Sequence, residues 1–505
     1  MIRIERRQWL AALLFLMVAL ATRGWQFGNP LIGIDEQFYL LVGDRMHQGA
    51  LPYVDFWDRK PLGLFLVYYL IRFLGGDGII QYQLVATLFV VATACMIHAL
   101  ARRIAPERGA LAAGAIYIVY LLLFGGSGGQ APVFYNLLVT LAAWCVVRVL
   151  ERPRFDRAAF GFGTVAMTII GCALQVKYSV LLEGVFFGAT LSWLAWRGGS
   201  GIARLGAAAA LWIALALGPT GLAWGYYVAV GHGQDFVFQN FQSIFLRSPP
   251  TGDDLAHRII RIVTRILPLA LAALAGSLWR GDAGGRAAHR FLAAWAGIAT
   301  LSVILFGTYH DHYALPLLPP MTIAASRAFG WLWTVPGAAL RGRVRVAPIA
   351  LLLALFATLA GFRIATDTRW RHGDAAQMRA LVPLIGPSPP RCVFVFSGDP
   401  VIYLLTRSCL PTRYNFPTLL SEWPDARSLG ADRQRELVRV MDSRPDFVVL
   451  RGDDRFLEAA PEAWAYMRGV LARDYRLVLD QPMIPRHRLL YARRDRAPGH
   501  PGLDY

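Results

Sequence analysis

Gly33-Ile34-Asp35-Glu36-Gln37-Phe38-Tyr39, then Gly49-Ala50-Leu51-Pro52-Tyr53-Val54-Asp55-Phe56-Trp57-Asp58-Arg59-Lys60-Pro61-Leu62, then an apolar run to Leu74: this stretch is unlike the rest of the first 365 residues of the chain. Elsewhere that region is almost continuous apolar sequence with the periodicity and length of buried helices. A loop carrying Asp35, Glu36, Asp55, Asp58, Arg59 and Lys60 therefore needs a reason to exist.

The surrounding composition sets the class. Of 505 residues, 56% are hydrophobic and 17% charged, which is too apolar for a soluble protein of this size and fits a mainly α, polytopic membrane protein. The formal charge of +18 would point to nucleic acid in a soluble domain. Here most Lys and Arg lie in short loops between apolar runs, where they set membrane orientation, so nucleic-acid binding is excluded. Cys95, Cys145 and Cys172 fall inside apolar runs, whereas Cys392 and Cys409 lie in polar sequence and can pair if that part is outside the cytoplasm. At the N-terminus, Arg3, Arg6 and Arg7 precede an apolar run that continues past Ala19-Leu20-Ala21 to about Phe27. This reads as an uncleaved anchor rather than a signal peptide.

Apolar runs long enough to cross about 30 Å of hydrocarbon at about 1.5 Å per residue occur at 9–27, 80–101, 109–125, 132–150, 158–176, 179–196, 203–230, 259–279, 290–308, 313–333 and 346–363. That makes about 11 crossings, with Pro61 to Leu74 as an ambiguous extra. If that run does not cross, Arg102, Arg103 and Arg108, Arg148 to Arg157, Arg197 and Arg204, Arg280 to Arg290, and Arg341 to Arg345 all share the side of the N-terminus. If it crosses, those clusters move outside. It also spans only about 21 Å as a helix, so it reads as an interfacial helix. The expected topology places the N-terminus in the cytoplasm of a bacterial inner membrane. The 28–79 loop, the 231–257 loop and everything after about Arg363 lie outside the cytoplasm.

Two further regions complete the domain reading. The 231–257 loop carries Asp235, Phe236, Phe238, Phe241, Phe245 and Arg247, an amphipathic pattern suited to a short interfacial helix ended by Pro249-Pro250. After the 1–365 membrane domain, residues 366–495 read as a small extracytoplasmic α/β domain. Its strands are expected at Cys392 to Phe396, Phe447 to Leu450, Leu477 to Leu479 and Leu489 to Tyr491, with a helix from Arg433 to Met441. Residues 496–505 read as a disordered tail.

Each polar group in the membrane domain has two readings. Asp35 sits where an N-cap would, with Glu36 as a first-turn acid, and a carboxylate at a membrane surface can equally act as a general base. Asp55, Asp58, Arg59 and Lys60 are either a snorkelling, self-neutralising cluster or a holder for an anionic group, with Pro61 at the start of the next helix. Lys177 interrupts apolar sequence, and so, with weaker effect, do Arg23 and Glu183; an intramembrane charge is either functional or snorkels. His310 and His312 flank Asp311 before Tyr313. That pattern admits a divalent metal, an anion or sugar contact, or an ordinary polar helix end.

The Asp35-Glu36 pair, the Gly-x-x-Pro-Tyr-x-Asp stretch at 49–55, the Lys60-Pro61-Leu62 motif and the His-Tyr-x-x-Pro-x-x-Pro-Pro segment at 312–320 together resemble the bacterial GT-C glycosyltransferases. These form the protein O-mannosyltransferase and aminoarabinose-transferase superfamily, whose donors are polyprenyl-phosphate sugars. The resemblance covers roughly residues 1–365. It implies that Asp35 is the catalytic base, that Glu36 positions acceptor or donor, and that Lys60 lies near the donor phosphate. Lys177 and His312 are then candidates for the same cavity. The implied reaction is direct displacement with inversion, moving a sugar to a hydroxyl of lipopolysaccharide or lipid A, another glycan or a protein. Two departures stand out. One proline follows Lys60 where many relatives have two, and Gly125 to Gln130 lacks the carboxylate that relatives often carry in or near the second external loop. The competing readings are a transporter or flippase of lipid-linked glycans, which would show repeat symmetry that is missing here, and a non-catalytic subunit of a glycan-assembly complex.

Overall fold

Backbone amides in hydrocarbon have no water to bond, so a long apolar run must close its hydrogen bonds within itself. In a computed structural model of the chain, which describes residues 6–247, 252–278, 285–336, 343–386, 392–421, 428–452, 460–484 and 486–495, ten helices are long and apolar enough to cross a membrane. These are Gln8–Gln26, Ile79–Ala101, Glu107–Phe124, Ala131–Leu150, Arg157–Leu174, Tyr178–Arg197, Ile202–Ala229, Gly252–Leu278, Arg286–Phe306 and Pro348–Ile385. They coincide with ten of the eleven expected runs.

The eleventh run, 313–333, is built differently. Pro316, Pro319 and Pro320 have no amide hydrogen to donate, and the segment starts as a 3-10 helix, Asp311–Leu317, before becoming an α-helix, Leu318–Phe329. At about 2.0 Å and about 1.5 Å per residue the two pieces together measure about 32 Å, still close to the thickness of the hydrocarbon core. This helix is enclosed on nearly every face. A Cβ added to Gly109 would run into the Ser326 carbonyl, and one added to Gly276 into the Ala324 carbonyl. Small residues let backbones approach where no hydrophobic force drives helices together. The run at 61–74 forms only Leu62–Arg72, about 17 Å long and too short to cross.

The chain divides into two compact units. The first comprises Met1–Phe27, Gln83–Ala223 and Pro249–Ala365; the second gathers Gly28–Tyr82, Trp224–Ser248 and Thr366–Tyr505. The long loops at 28–82 and 224–248 thus group with the C-terminal segment. The first unit also holds a hairpin, β1 (Trp333–Pro336) paired antiparallel with β2 (Arg343–Val346).

In the second unit, the four expected C-terminal strands form one mixed sheet: β3 (Val393–Val395), β4 (Phe447–Gly452), β5 (Tyr475–Pro482) and β6 (His487–Arg493), in the order β3-β4-β6-β5. β3 and β4 are parallel, and the other pairs antiparallel. The expected helix runs Arg433–Asp442, with the Asp432 carboxylate accepting from the Arg435 amide as its cap. Its Leu437 and Val440 pack with Phe394, Phe396, Val448, Leu450 and Trp464 in one core, which Trp57 from the 28–82 loop joins. Cys392 and Cys409 form a disulfide with Cα atoms 4.9 Å apart. The loop at 233–246 is helical in three short pieces, Gly233–Val237, Phe238–Gln242 and Ser243–Leu246. Pro249-Pro250 and the 496–505 tail lie outside the described residues.

At one end of the two central strands, Asp399 in the loop after β3 accepts from Arg451 Nη2 (3.2 Å) and Arg488 Nη2 (2.7 Å), and all three side chains are buried. Burial alone would raise the Asp399 carboxyl. Arg488 and then Arg451 outweigh it and hold the group at about 2. A carboxyl depressed in the folded state contributes stability above its unfolded value of about 4 and loses it as pH falls toward 2. Thermal unfolding of the full chain is therefore expected to weaken across that window, and Asp399→Asn to remove this step while lowering stability at neutral pH. Separately, a Cβ on Gly43 would press on the Tyr68–Tyr69 backbone at 2.7 Å. Gly43→Ala is expected to separate the 34–46 and 62–72 helices and to cost about 1–3 kcal/mol in an unfolding titration.

Candidate functional site

Helix Ile34–Met46 begins at Gly33, an extended N-cap that offers no side chain. Asp35 is thus the second helical residue, not the cap, and Glu36 the third; both lie in the first turn, where the helix dipole favours acids. Glu36 is 1% exposed, and its carboxylate folds back against Gly33, where a Cβ would collide with its Oε2. Glu36 thus stands at the acidic position of a capping box, with a glycine where a Ser or Thr would ordinarily stand.

Twenty-five residues later the chain brings Lys60 back to this turn. Its Nζ lies 3.6 Å from Asp35 Oδ1 and 3.3 Å from Asp58 Oδ1, above the rings of Tyr39 (5.4 Å) and Phe416 (5.6 Å). Asp58 is buried and also accepts from the Arg59 and Lys60 amides, closing a tight turn. The loop reverses at Tyr53, which takes a left-handed φ of +69°. That conformation costs an aromatic residue about 1–3 kcal/mol. It is held by the ring contacts with Tyr227 and Phe236, by the Tyr53 hydroxyl on the Lys60 carbonyl (2.7 Å), and by Gln239 and Arg413 donating to the Tyr53 carbonyl. Tyr39 and Tyr68 stay protonated: burial first, then the nearby carboxylates, pushes both hydroxyls well above their ordinary range.

Two other residues singled out in this stretch do different work. Asp55 is exposed and accepts from the Leu51 amide (2.6 Å), which closes the turn before Phe56. The Arg59 guanidinium stacks on Trp57 (4.8 Å) and donates to Ser243 and Ser428, so it ties the loop to its neighbours within the same unit.

The first unit collects the remaining candidates. Lys177 Nζ sits 4.1 Å from the Tyr313 ring centre, and His312 packs edge-on against the same ring. The His310 and His312 rings stack at 5.7 Å. Three residues the sequence reading passed over join them. Arg258 reaches His310 (3.3 Å) and the Thr308 carbonyl, and Arg261 and Arg265 hold Asp311 at 2.7 and 2.9 Å. Their spacing, i, i+3 and i+7 on one helix face, was readable across the start of the 259–279 apolar run, with Arg258 just before it. The cluster is cationic and aromatic, a setting for an anion. Among the described residues no three His, Cys, Asp or Glu side chains come together to hold a metal ion. Buried Arg23 donates to the Gly126 (2.5 Å) and Gly128 (2.9 Å) carbonyls and to Thr87, so it shapes the acid-free 125–130 loop.

Among the described residues the architecture is thus ten apolar helices, two long loops and a small α/β segment that carries a disulfide. The chain is similar to ArnT from Cupriavidus metallidurans, solved both bound to undecaprenyl phosphate and in the apo state. Identity is 16% and the TM-score 0.63, over 96% of this chain and 97% of that one. It is also similar to the Archaeoglobus fulgidus oligosaccharyltransferase in the apo form (12% identity, TM-score 0.53, covering 88% of this chain and 69% of that one). The oligosaccharyltransferase AglB of the same organism, in complex with an inhibitory peptide and a dolichol-phosphate, gives 11% identity and a TM-score of 0.50 over the same shares. No protein-family model and no curated protein matches the sequence. The GT-C fold expected from the loop motifs is the fold of this chain.

Gly33→Ala is expected to displace the Glu36 carboxylate and loosen the first turn. Hydrogen exchange at amides 34–38 should rise several-fold relative to the rest of the helix; unchanged exchange would show that the fold-back has no such role.

Proposed function

We propose that the chain is an integral-membrane glycosyltransferase that moves a sugar from a polyprenyl-phosphate-linked donor to a hydroxyl of an envelope acceptor. The observation that carries this reading is the return of Lys60 to within 3.6 Å of Asp35. It pairs a carboxylate able to take a proton with a cation able to hold an anion, on one face of one loop. The donor class is supported by the fold, since similar structures were solved with undecaprenyl phosphate and with a dolichol-phosphate.

The chemistry needs little else. Asp35 takes the acceptor hydroxyl proton as that oxygen attacks the anomeric carbon; the bond from this carbon to the phosphate oxygen breaks, and polyprenyl phosphate leaves with the electron pair. A single displacement inverts the anomeric centre. Lys60 stabilises charge gathering on the departing phosphate, and Glu36 fixes the turn that carries Asp35. Asp55 and Arg59 are assigned to the loop's own structure.

The orientation proposed is N-terminus cytoplasmic, with the loops and C-terminal segment on the extracytoplasmic side of an inner membrane. The arginine distribution supports it, as does the Cys392–Cys409 disulfide, since such bonds persist in oxidising compartments.

Purified protein assayed with a polyprenyl-phosphate sugar is expected to lose about 10²–10⁴-fold in transfer rate on Asp35→Asn, with expression and thermal stability retained. Unreduced transfer by a folded Asp35→Asn protein would remove Asp35 as the base.

A further inference from the structure

Asp35 and Glu36 project from a helix that is also gripped by one short, covalently closed piece of the C-terminal segment. Residues two apart on an α-helix point about 200° apart, so Gln37 faces away from Asp35. Gln37 is 2% exposed; its amide nitrogen donates to Asp399 Oδ1 (3.4 Å), and its amide oxygen accepts from the Val401 amide (3.4 Å). Two turns on, Arg45 donates to the carbonyls of Ser408 (2.6 Å) and Tyr403 (3.4 Å). All four partners lie between Cys392 and Cys409, the two ends of the disulfide.

That segment is itself fixed. Asp399 is locked between Arg451 and Arg488, and Arg488 also holds Gln481 Oε1 and the His372 carbonyl. The Ser408 hydroxyl accepts from the Val393 amide and donates to the Cys409 carbonyl, which ties the far end of the segment to β3. The helix is thus held at two points on a base that cannot easily shift.

We propose that Gln37 and Arg45 are positioning residues, and that the disulfide-closed 392–409 segment is the element that sets the rotation of the helix presenting Asp35 and Glu36. The proposal rests on the reading of Asp35 as the base. A helix with side chains has a radius of about 5–6 Å, so a rotation of about 10° moves a side-chain tip by about 1 Å. A misplacement of that size costs about 10²-fold in rate. Because both residues bond the 392–409 segment, their loss should change turnover rather than donor affinity.

The test uses the full chain in lipid nanodiscs, comparing wild type, Gln37→Met, Arg45→Met and the double variant Cys392→Ser/Cys409→Ser. It reads kcat, KM for a polyprenyl-phosphate sugar, and hydrogen exchange by peptide. The expected result is a fall in kcat of about 10- to 100-fold with KM within about twofold. Exchange should rise at residues 34–40 in all three variants while β4, residues 447–452, keeps its protection. Unchanged exchange at 34–40, or a loss that falls on KM with kcat intact, would overturn the proposal. Asp35→Asn is run beside them: if it retains transfer, the catalytic reading fails, while exchange at 34–40 still decides whether the segment holds the helix.

Discussion

An ammonium shared between two carboxylates is the constraint on which the second unit depends. Removing water from Asp58, and most of it from Asp35, is costly unless an opposite charge stands beside them. Lys60 is that charge, and bringing it home dictates the loop's path. The chain must reverse at Tyr53 and tighten at Asp58, and those strained or polar turns need partners from elsewhere. Gln239 and Arg413 donate to the Tyr53 carbonyl, and Trp57 is sunk into the core of the sheet domain. Three stretches distant in sequence thus meet around one loop and its ion cluster.

The first unit obeys the other membrane rule: polar backbone must find its partners inside the protein. Arg23 serves this rule directly, using its guanidinium to satisfy carbonyls of a glycine-rich turn that has no regular structure of its own. Proline-rich helix 318–329 is accommodated because Gly109 and Gly276 let its neighbours come to backbone contact. The arginines at 258, 261 and 265 share a helix face with apolar residues all around, an arrangement that persists where acids give them partners: Asp254 for Arg258, and half-buried Asp311 for Arg261 and Arg265.

Much of this was legible in the sequence because hydrocarbon imposes long, unambiguous apolar runs. Ten helices and all four C-terminal strands fall where periodicity puts them, and the shortness of the 62–72 helix agrees with the placement the arginines required. The motifs at 35–36 and 60–62 marked the residues that meet. What periodicity could not supply was side-chain direction. It offered Asp35 as a cap, whereas Gly33 occupies that position, and it grouped Asp55 and Arg59 with Lys60, although one closes a turn and the other binds serines. The arginine stripe was hidden by the apolar average around it. Gln37 gave no local cue at all, since its partners lie more than 360 residues away.

The claim that matters most is chemical: one carboxylate, acting once, transfers a sugar. The direct measurement is the anomeric configuration of the product, read by NMR after reaction of the purified protein with a polyprenyl-phosphate sugar of defined configuration and a hydroxyl acceptor. The account predicts inversion at the anomeric carbon. A product that retains the donor's configuration would require a covalent intermediate or a second displacement, and would contradict it.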